Sequence, residues 1–337
     1  MKGKLKLTSA EISHLWATYM NDSGAICHLE HELHHTEDKE IKPLILHVLN
    51  ISKTHIKKIR EILNKENYPV PKGFNLNEDV DIRAPRLFSD TYCLIAANAL
   101  GKTGLNAYSV ALPFAIRDDI YQFFSNCLRE SDEIIRQTNK VMLSKGLYIK
   151  PPYLPTPENV DFVKKKSFLS GYFGEKRPLL GTEITNLYGN FQRNALGLAT
   201  MIGYSQVANK SEVTDYILRG KEIAQKHCDI FGAYLNEHDL PSPTTWDTEV
   251  TESTTHTFSD KNLLFFVTGL IALSIGYYGA SISASPRRDI GVMYSRLIGE
   301  ISRFADDGAK MMIANGWLEE PPRALDRDEL AKKNYES

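Results

Sequence analysis

The sequence predicts an all-α protein made of two tandem four-helix bundles, and three observations predict it. Apolar residues recur at alternating steps of three and four through several windows of more than twenty residues. The second half of the chain repeats the first at a nearly constant offset. In each half, roughly twenty residues without helical period separate the second helix from the third.

Offsetting the chain by 172 places Glu11 on Glu183, Leu15 on Leu187, Ile45 and Leu46 on Ile217 and Leu218, and His55 on His227. Pro69 and Pro71 fall on Pro241 and Pro243. Beyond a two-residue deletion the offset is 170, and "FSD" at 88–90 meets "FSD" at 258–260. That register carries Tyr108 to Tyr278, Arg117 to Arg287, Glu130 to Glu300 and Gly146 to Gly316. So many ordered matches establish an internal duplication.

The first helix opens at a Ser or Thr cap and carries Ile12, Leu15, Tyr19, Asp22, Ile26, Leu29 and Leu33 on an inward stripe. The second spans about 40–65, with Ile41, Ile45, Val48, Ser52, His55, Ile59 and Ile62 in the same rhythm, and stops before "PVPKGF". The third runs from near "FSD" to about 112. The fourth starts near "RDDI", where Asp118 or Asp119 can cap it, and ends before Gly146. The long stretch between the second and third helices can cross the length of a bundle, as in ferritin-like folds. The fold class predicted is therefore two tandem ferritin-like four-helix bundles. Their boundaries fall at 1–150 and 179–322, with a connector at 151–178 and a charged tail at 323–337.

The composition, 42% hydrophobic and 24% charged over 337 residues, is that of globular material, and a formal charge of -2 gives no global electrostatic argument for nucleic acid or an anionic membrane. The first residues lack the apolar region of a secretory signal, so a cytoplasmic location is expected. Cys27, Cys93, Cys127 and Cys228 sit among apolar residues without C-x-x-C spacing and read as buried thiols. The uncharged stretch 262–286 is long enough to span a membrane, but its counterpart in the first copy contains Lys102 and several polar residues. A helix buried on all sides of the second bundle is the expectation, with no membrane partner.

Two polar features invite functional readings. "CHLEHELHH" at 27–35 places His28, His31 and His35 off the inward stripe, where His31 and His35 could chelate a divalent ion. Their counterparts, Thr200, Gly203 and Val207, show that this cluster was not duplicated, and a solvated helix end is the favoured expectation. The second feature is duplicated. His55 and His227 occupy one stripe position, Glu130 and Glu300 another, and Tyr108 and Tyr278 face inward, while Asp22 is matched by Asn194. Asp22, His55, Glu130, His227 and Glu300 are the candidate metal ligands, for iron, manganese or zinc. The favoured alternative is a buried hydrogen-bonded network with no cofactor. A di-iron site needs Glu-x-x-His motifs that "NISKTH" and "EIAQKH" lack. No Ser-His-Asp set, P-loop or Rossmann glycine pattern occurs.

"ENYPVPKGF" at 66–74, "APRLFSD" at 84–90 and "KGLYIKPPY" at 145–153 resemble domain-of-unknown-function family 3231 of spore-forming bacilli. The resemblance covers nearly the whole chain. It implies tandem ferritin-like bundles and, since some members are labelled putative spore coat proteins, association with the spore. It supplies no catalytic residue. The expected function is a non-enzymatic, spore-associated structural or interaction protein, its partners further copies of itself or other spore proteins. A metal-binding or redox bundle protein is the alternative.

Overall fold

A computed structural model of the chain describes residues 5–172 and 176–333. The first repeat contains α1 (Ser9–His35), α2 (Lys42–Lys65), the single turn α3 (Leu76–Asp79), α4 (Asp90–Ala111) and α5 (Asp118–Ser144). The second contains α6 (Gly181–Val207), α7 (Ser211–Asn236), α8 (Asp260–Ser283) and α9 (Arg288–Ala314), and α10 (Arg327–Lys333) forms the tail. Among the described residues there is no strand, and the fold is all-α with an internal duplication. In each repeat the first two long helices pair, as do the last two, and the pairs close on each other.

Local chemistry explains the ends. Thr8 accepts from the Glu11 backbone N–H at 3.2 Å while the Glu11 carboxylate accepts from the Thr8 N–H at 2.8 Å, a reciprocal cap that starts α1. Ser89 and Ser259 cap α4 and α8 through their hydroxyls, which accept from the backbone N–H groups of Tyr92 and Asn262. Gly146 and Gly316 take positive φ, 71° and 67°, just after the C-caps Lys145 and Asn315 of the fourth helix of each repeat. A side chain there would be strained.

The other oxygen of Glu11 accepts from the backbone N–H groups of Ile116 and Arg117, both at 3.0 Å, and so ties the start of α5 to the start of α1. Glu183 repeats this clasp on Leu180 and Arg287, and adds a bidentate pair with Arg177 at 2.8 Å. Arg117 and Arg287 in turn bind Asp119 and Asp289 through two nitrogens each. Asp118 and Asp119 therefore do not cap α5 from its N-cap position: Arg117 stands there, with no side-chain cap bond of its own. Glu11 reaches from another helix to satisfy those N–H groups, a long-range partner that local propensity cannot show.

The two repeats meet about a pseudo-two-fold axis. Val80 bridges Phe258 and Phe88 bridges Val250, both antiparallel, and the offset of 170 interchanges the two pairs. Asp81 N–H donates to Thr257 O at 2.8 Å, and the equivalent Thr251 N–H donates to Leu87 O at 2.9 Å. The non-helical stretches between the second and third helices thus pair with each other across the repeats, satisfying backbone groups that would otherwise be buried unpaired. The interface continues into the main hydrophobic cluster, which runs from Leu29, Ile45 and Leu94 to Leu187, Phe231 and Leu263. A second cluster about Leu15, Tyr19, Ile59 and Phe124 fills the far end of the first repeat.

The helix α8, uncharged from Asn262 onward, departs from the expectation of burial on all sides. It is the single described helix long and apolar enough to cross a membrane, and only 28% of its apolar window is buried. Ala272, Gly276, Gly279, Ala280 and Ser283 lie exposed, while Leu263, Leu264, Val267 and Ile271 enter the core. The helix is uncharged because its outer face is made of small residues, which carry little apolar area and are tolerated in water.

Candidate functional site

Four helices of the first repeat converge on His55. Asp22 comes from α1, Ser52 and His55 from α2, Tyr108 from α4, and Cys127 and Glu130 from α5. The His55 Nδ1 donates to Asp22 Oδ2 at 2.9 Å and its Nε2 donates to Glu130 Oε2 at 2.8 Å. The Ser52 hydroxyl donates to the other Asp22 oxygen at 2.9 Å. An imidazole that donates from both nitrogens is an imidazolium. Burial opposes that charge, but the hydrogen bonds of Asp22, Cys127 and Glu130 together outweigh it, and the His55 pKa is pushed up to about 12.

One nitrogen of His55, the Cys127 sulfur and one Glu130 oxygen all lie within 4.8 Å of one another. Burial pushes the Cys127 thiol up, with His55 acting the other way. Tyr108 stands edge-on to the imidazole at 6.0 Å, and burial pushes its phenol well above the usual range. Glu130 is the more exposed carboxylate, its side chain 32% accessible against 13% for Asp22, so the cluster opens to water on the Glu130 side.

The second repeat keeps the frame and changes the chemistry. His227 lies between the Tyr278 hydroxyl, 2.9 Å from Nδ1, and Glu300 Oε2, 3.2 Å from Nε2. Asn194 replaces Asp22 and donates to Tyr278 at 2.8 Å, while Leu297 stands where Cys127 does and Ala224 where Ser52 does. The Lys226 ammonium takes both oxygens of Glu300, at 2.7 and 3.0 Å. Burial lowers the His227 pKa, with Glu300 opposing it. The same fold position therefore holds a cation between two carboxylates in one repeat and a neutral ring in the other.

The structure brings together Asp22, His55 and Glu130 in one cluster, and His227 and Glu300 in another. The sequence marks Cys127 as a buried thiol, which it is, but not as a member of this cluster. Its i, i+3 spacing from Glu130 was the available signal, one turn apart on one face.

The histidines at 27–35 do not form the solvated helix end expected of them. His28 and His31 are buried, not solvated, because the second repeat covers their face of α1. His28 Nε2 donates to Asn262 Oδ1 at 2.6 Å, and its ring stacks against Tyr204 and lies 4.0 Å from the Phe258 ring. His31 and His35 donate to the Ala84 carbonyl at 3.2 and 2.8 Å. The pseudo-symmetric contact is Tyr92 OH with Thr200 Oγ1 at 2.8 Å. Gly203, opposite His31, presses so closely on Phe88 that a Cβ would lie 2.6 Å from the ring. The cluster was not duplicated because the two halves of the interface solve one packing problem with different residues.

This interface makes stability depend on pH in both directions. Burial drives the pKa of His28 to about 3 and of His31 to about 4, so below 6.5 the unfolded chain binds protons that the folded one does not, and stability falls as pH falls. Glu32, on the same helix, is pushed up to about 8 by burial, and His55 is raised, so stability also falls as pH rises above 6.5. Urea midpoints measured from pH 5 to 9 should peak near pH 6.5, with a slope of about 1.4 kcal/mol per pH unit for each net proton. A monotonic rise to pH 9 would contradict these assignments.

The sequence profile of a family described as Protein of unknown function (DUF3231) matches residues 1–160 and again 167–330. No curated protein matches the chain. Among solved structures, one named as a "putative spore coat protein" from Bacillus halodurans C-125 aligns with a TM-score of 0.42 at 16% identity, covering 44% of this chain and 98% of its own.

Proposed function

The chain belongs to the DUF3231 family, matched once by each repeat, and from that premise we propose that it is a non-enzymatic, spore-associated structural protein that assembles with further copies of itself. The spore setting follows the labels carried by proteins that its sequence motifs resemble, and the repeats take the ferritin-like arrangement. The observation that carries the assembly reading is the connector.

Residues 150–165 have no regular structure and run over the surface, yet Tyr153, Val160 and Phe162 are 88%, 91% and 80% exposed, with Leu154 and Val163 beside them. Five large apolar side chains held in water within one short segment, residues 153–163, mark an interaction surface. Tyr153 and Phe162 alone can bury about 300–500 Å², a large part of the roughly 800 Å² per partner of a stable interface. Lys164, Lys165 and Lys166 follow, and the chain carries complementary exposed acids in Asp326, Asp328 and Glu329.

Sedimentation of the wild type should show concentration-dependent association beyond the 38.1 kDa monomer. Replacing Tyr153, Val160, Phe162 and Val163 together by Ser should return it to the monomer with unchanged circular dichroism. A wild type that stays monomeric at all concentrations, or a variant that associates equally well, would overturn the reading. A second reading, a metal-binding bundle protein, is favoured by the cluster about His55.

A further inference from the structure

We propose that the first repeat, and not the second, binds one zinc-like divalent ion through Cys127 Sγ, His55 Nε2 and the Glu130 carboxylate, with Asp22 holding His55 from behind. A His55 ring nitrogen, Cys127 Sγ and a Glu130 oxygen already lie within 4.8 Å of one another on α2 and α5, and Nε2 is the nitrogen that faces Glu130, at 2.8 Å, so small side-chain shifts bring the three onto one ion. Thiolate, imidazole and carboxylate form a set that suits zinc better than the hard, carboxylate-rich sets of manganese or magnesium.

Asp22 takes the outer role. Its bond to Nδ1 at 2.9 Å fixes the tautomer and turns Nε2 toward Cys127 and Glu130, the carboxylate–histidine–metal arrangement in which the outer partner orients the ligand. Ser52 holds the remaining oxygen of Asp22 at 2.9 Å. Three protein ligands leave a fourth position, and the partly exposed Glu130 marks the entry path.

Coordination displaces the Nε2 proton of His55 and the Sγ proton of Cys127 to solvent, while the Nδ1 proton stays on His55 in its hydrogen bond to Asp22. Two protons leave as a dication enters, so coordination adds no net charge to the pocket.

The second repeat provides the internal contrast. Leu297 offers no donor, Asn194 carries no charge to orient His227, and the Lys226 ammonium occupies Glu300. The groups facing His55 from every helix packed on it are Asp22 and Ser52, Tyr108, Cys127 and Glu130. Tyr108 stays protonated throughout.

The test is titration of metal-free full-length protein with Zn²⁺, and with Co²⁺ as the spectroscopic probe, by calorimetry in two buffers of different protonation enthalpy. One ion per chain, close to two protons released, and a sulfur-to-cobalt charge-transfer band are expected. Cys127→Ser should abolish the band. Glu130→Gln should weaken binding at least tenfold, and Asp22→Asn about 10–100-fold. Glu300→Gln should leave all three readouts unchanged. The proton count and the band are read on the wild type, so the test stands even if a variant folds poorly. Absence of binding, two ions per chain, or an unaltered titration in both Cys127→Ser and Glu130→Gln would overturn the proposal, the last placing the ion on surface histidines.

Discussion

Replacing Arg287 by alanine is expected to destabilise the protein by about 3–5 kcal/mol, because it strands buried carboxylates. Arg287 is fully buried, binds Asp289 bidentately at 2.9 and 2.7 Å, and its Nη1 lies 2.8 Å from His238 Nε2. Asp289 is itself buried, and Glu183, which accepts from the Arg287 backbone, has a fully covered side chain. Removing the guanidinium leaves Asp289 charged in a site that water does not reach. Replacing both Arg287 and Asp289 by apolar residues of similar size should recover much of the loss, since both unpaired groups disappear together. The equivalent change at Arg117 should cost less, about 1.5–3 kcal/mol, because of its two carboxylate partners Asp119 is 49% exposed and can be rehydrated, and only Glu66, 16% exposed, is left covered. Chemical denaturation of the three variants checks the order. Equal losses at 287 and 117 would mean that burial does not set the cost.

Removing His55 is the second large perturbation expected. His55→Ala takes the cation from between Asp22 and Glu130 and opens a cavity, for a loss of about 3–5 kcal/mol. Glu130→Ala should cost less, because its carboxylate is already at the opening, and changing His55 and Glu130 together to apolar residues should restore part of the stability. The sign of the pH dependence separates this site from its counterpart. The folded pKa of His55 is raised, so its contribution is fully present below about 6.5 and declines as pH rises toward 12. The difference between wild type and His55→Ala should therefore shrink from pH 6 to pH 9. His227, whose pKa is lowered, should show the reverse: its contribution is present above 6.5 and is lost as pH falls. Melting curves of His55→Ala and His227→Ala at pH 6 and 9 decide this, and parallel behaviour of the two variants would sink the assignment of a charged ring to one repeat and a neutral ring to the other.

The pseudo-two-fold pairing gives the duplication a physical meaning. Val80 with Phe258 and Phe88 with Val250 are the contacts of an isologous interface, in which each half meets the same patch of the other. Here the two halves are covalently joined, so equivalent positions no longer need identical residues. That freedom explains His28 facing Asn262 on one side while Thr200 faces Tyr92 on the other. It also explains a charged cluster at His55 beside a neutral one at His227.

Within each repeat, the sequence by itself determined a great deal. The stripe Ile41, Ile45, Val48, Ser52, His55, Ile59 and Ile62 is buried along its whole length, because a helix packed against one set of neighbours writes its inner face into the 3.6-residue period. The offset between copies fixed which polar residues recur at equivalent positions. Only the tertiary structure decided what happens where one repeat covers another. α1 is buried on two faces, one by its own bundle and one by α6 and α8, and the second burial follows no period because the covering atoms lie more than 170 residues away along the chain. For that reason the histidines at 27–35 read as a solvated helix end and are an interface. α8 failed in the opposite direction: its lack of charge reads as complete burial, whereas small side chains let its outer face remain in water. The identity of Cys127 as a neighbour of His55 likewise depended on the rotation of α5 against α2, a degree of freedom set by how the side chains of both helices interlock and by no residue of either helix alone.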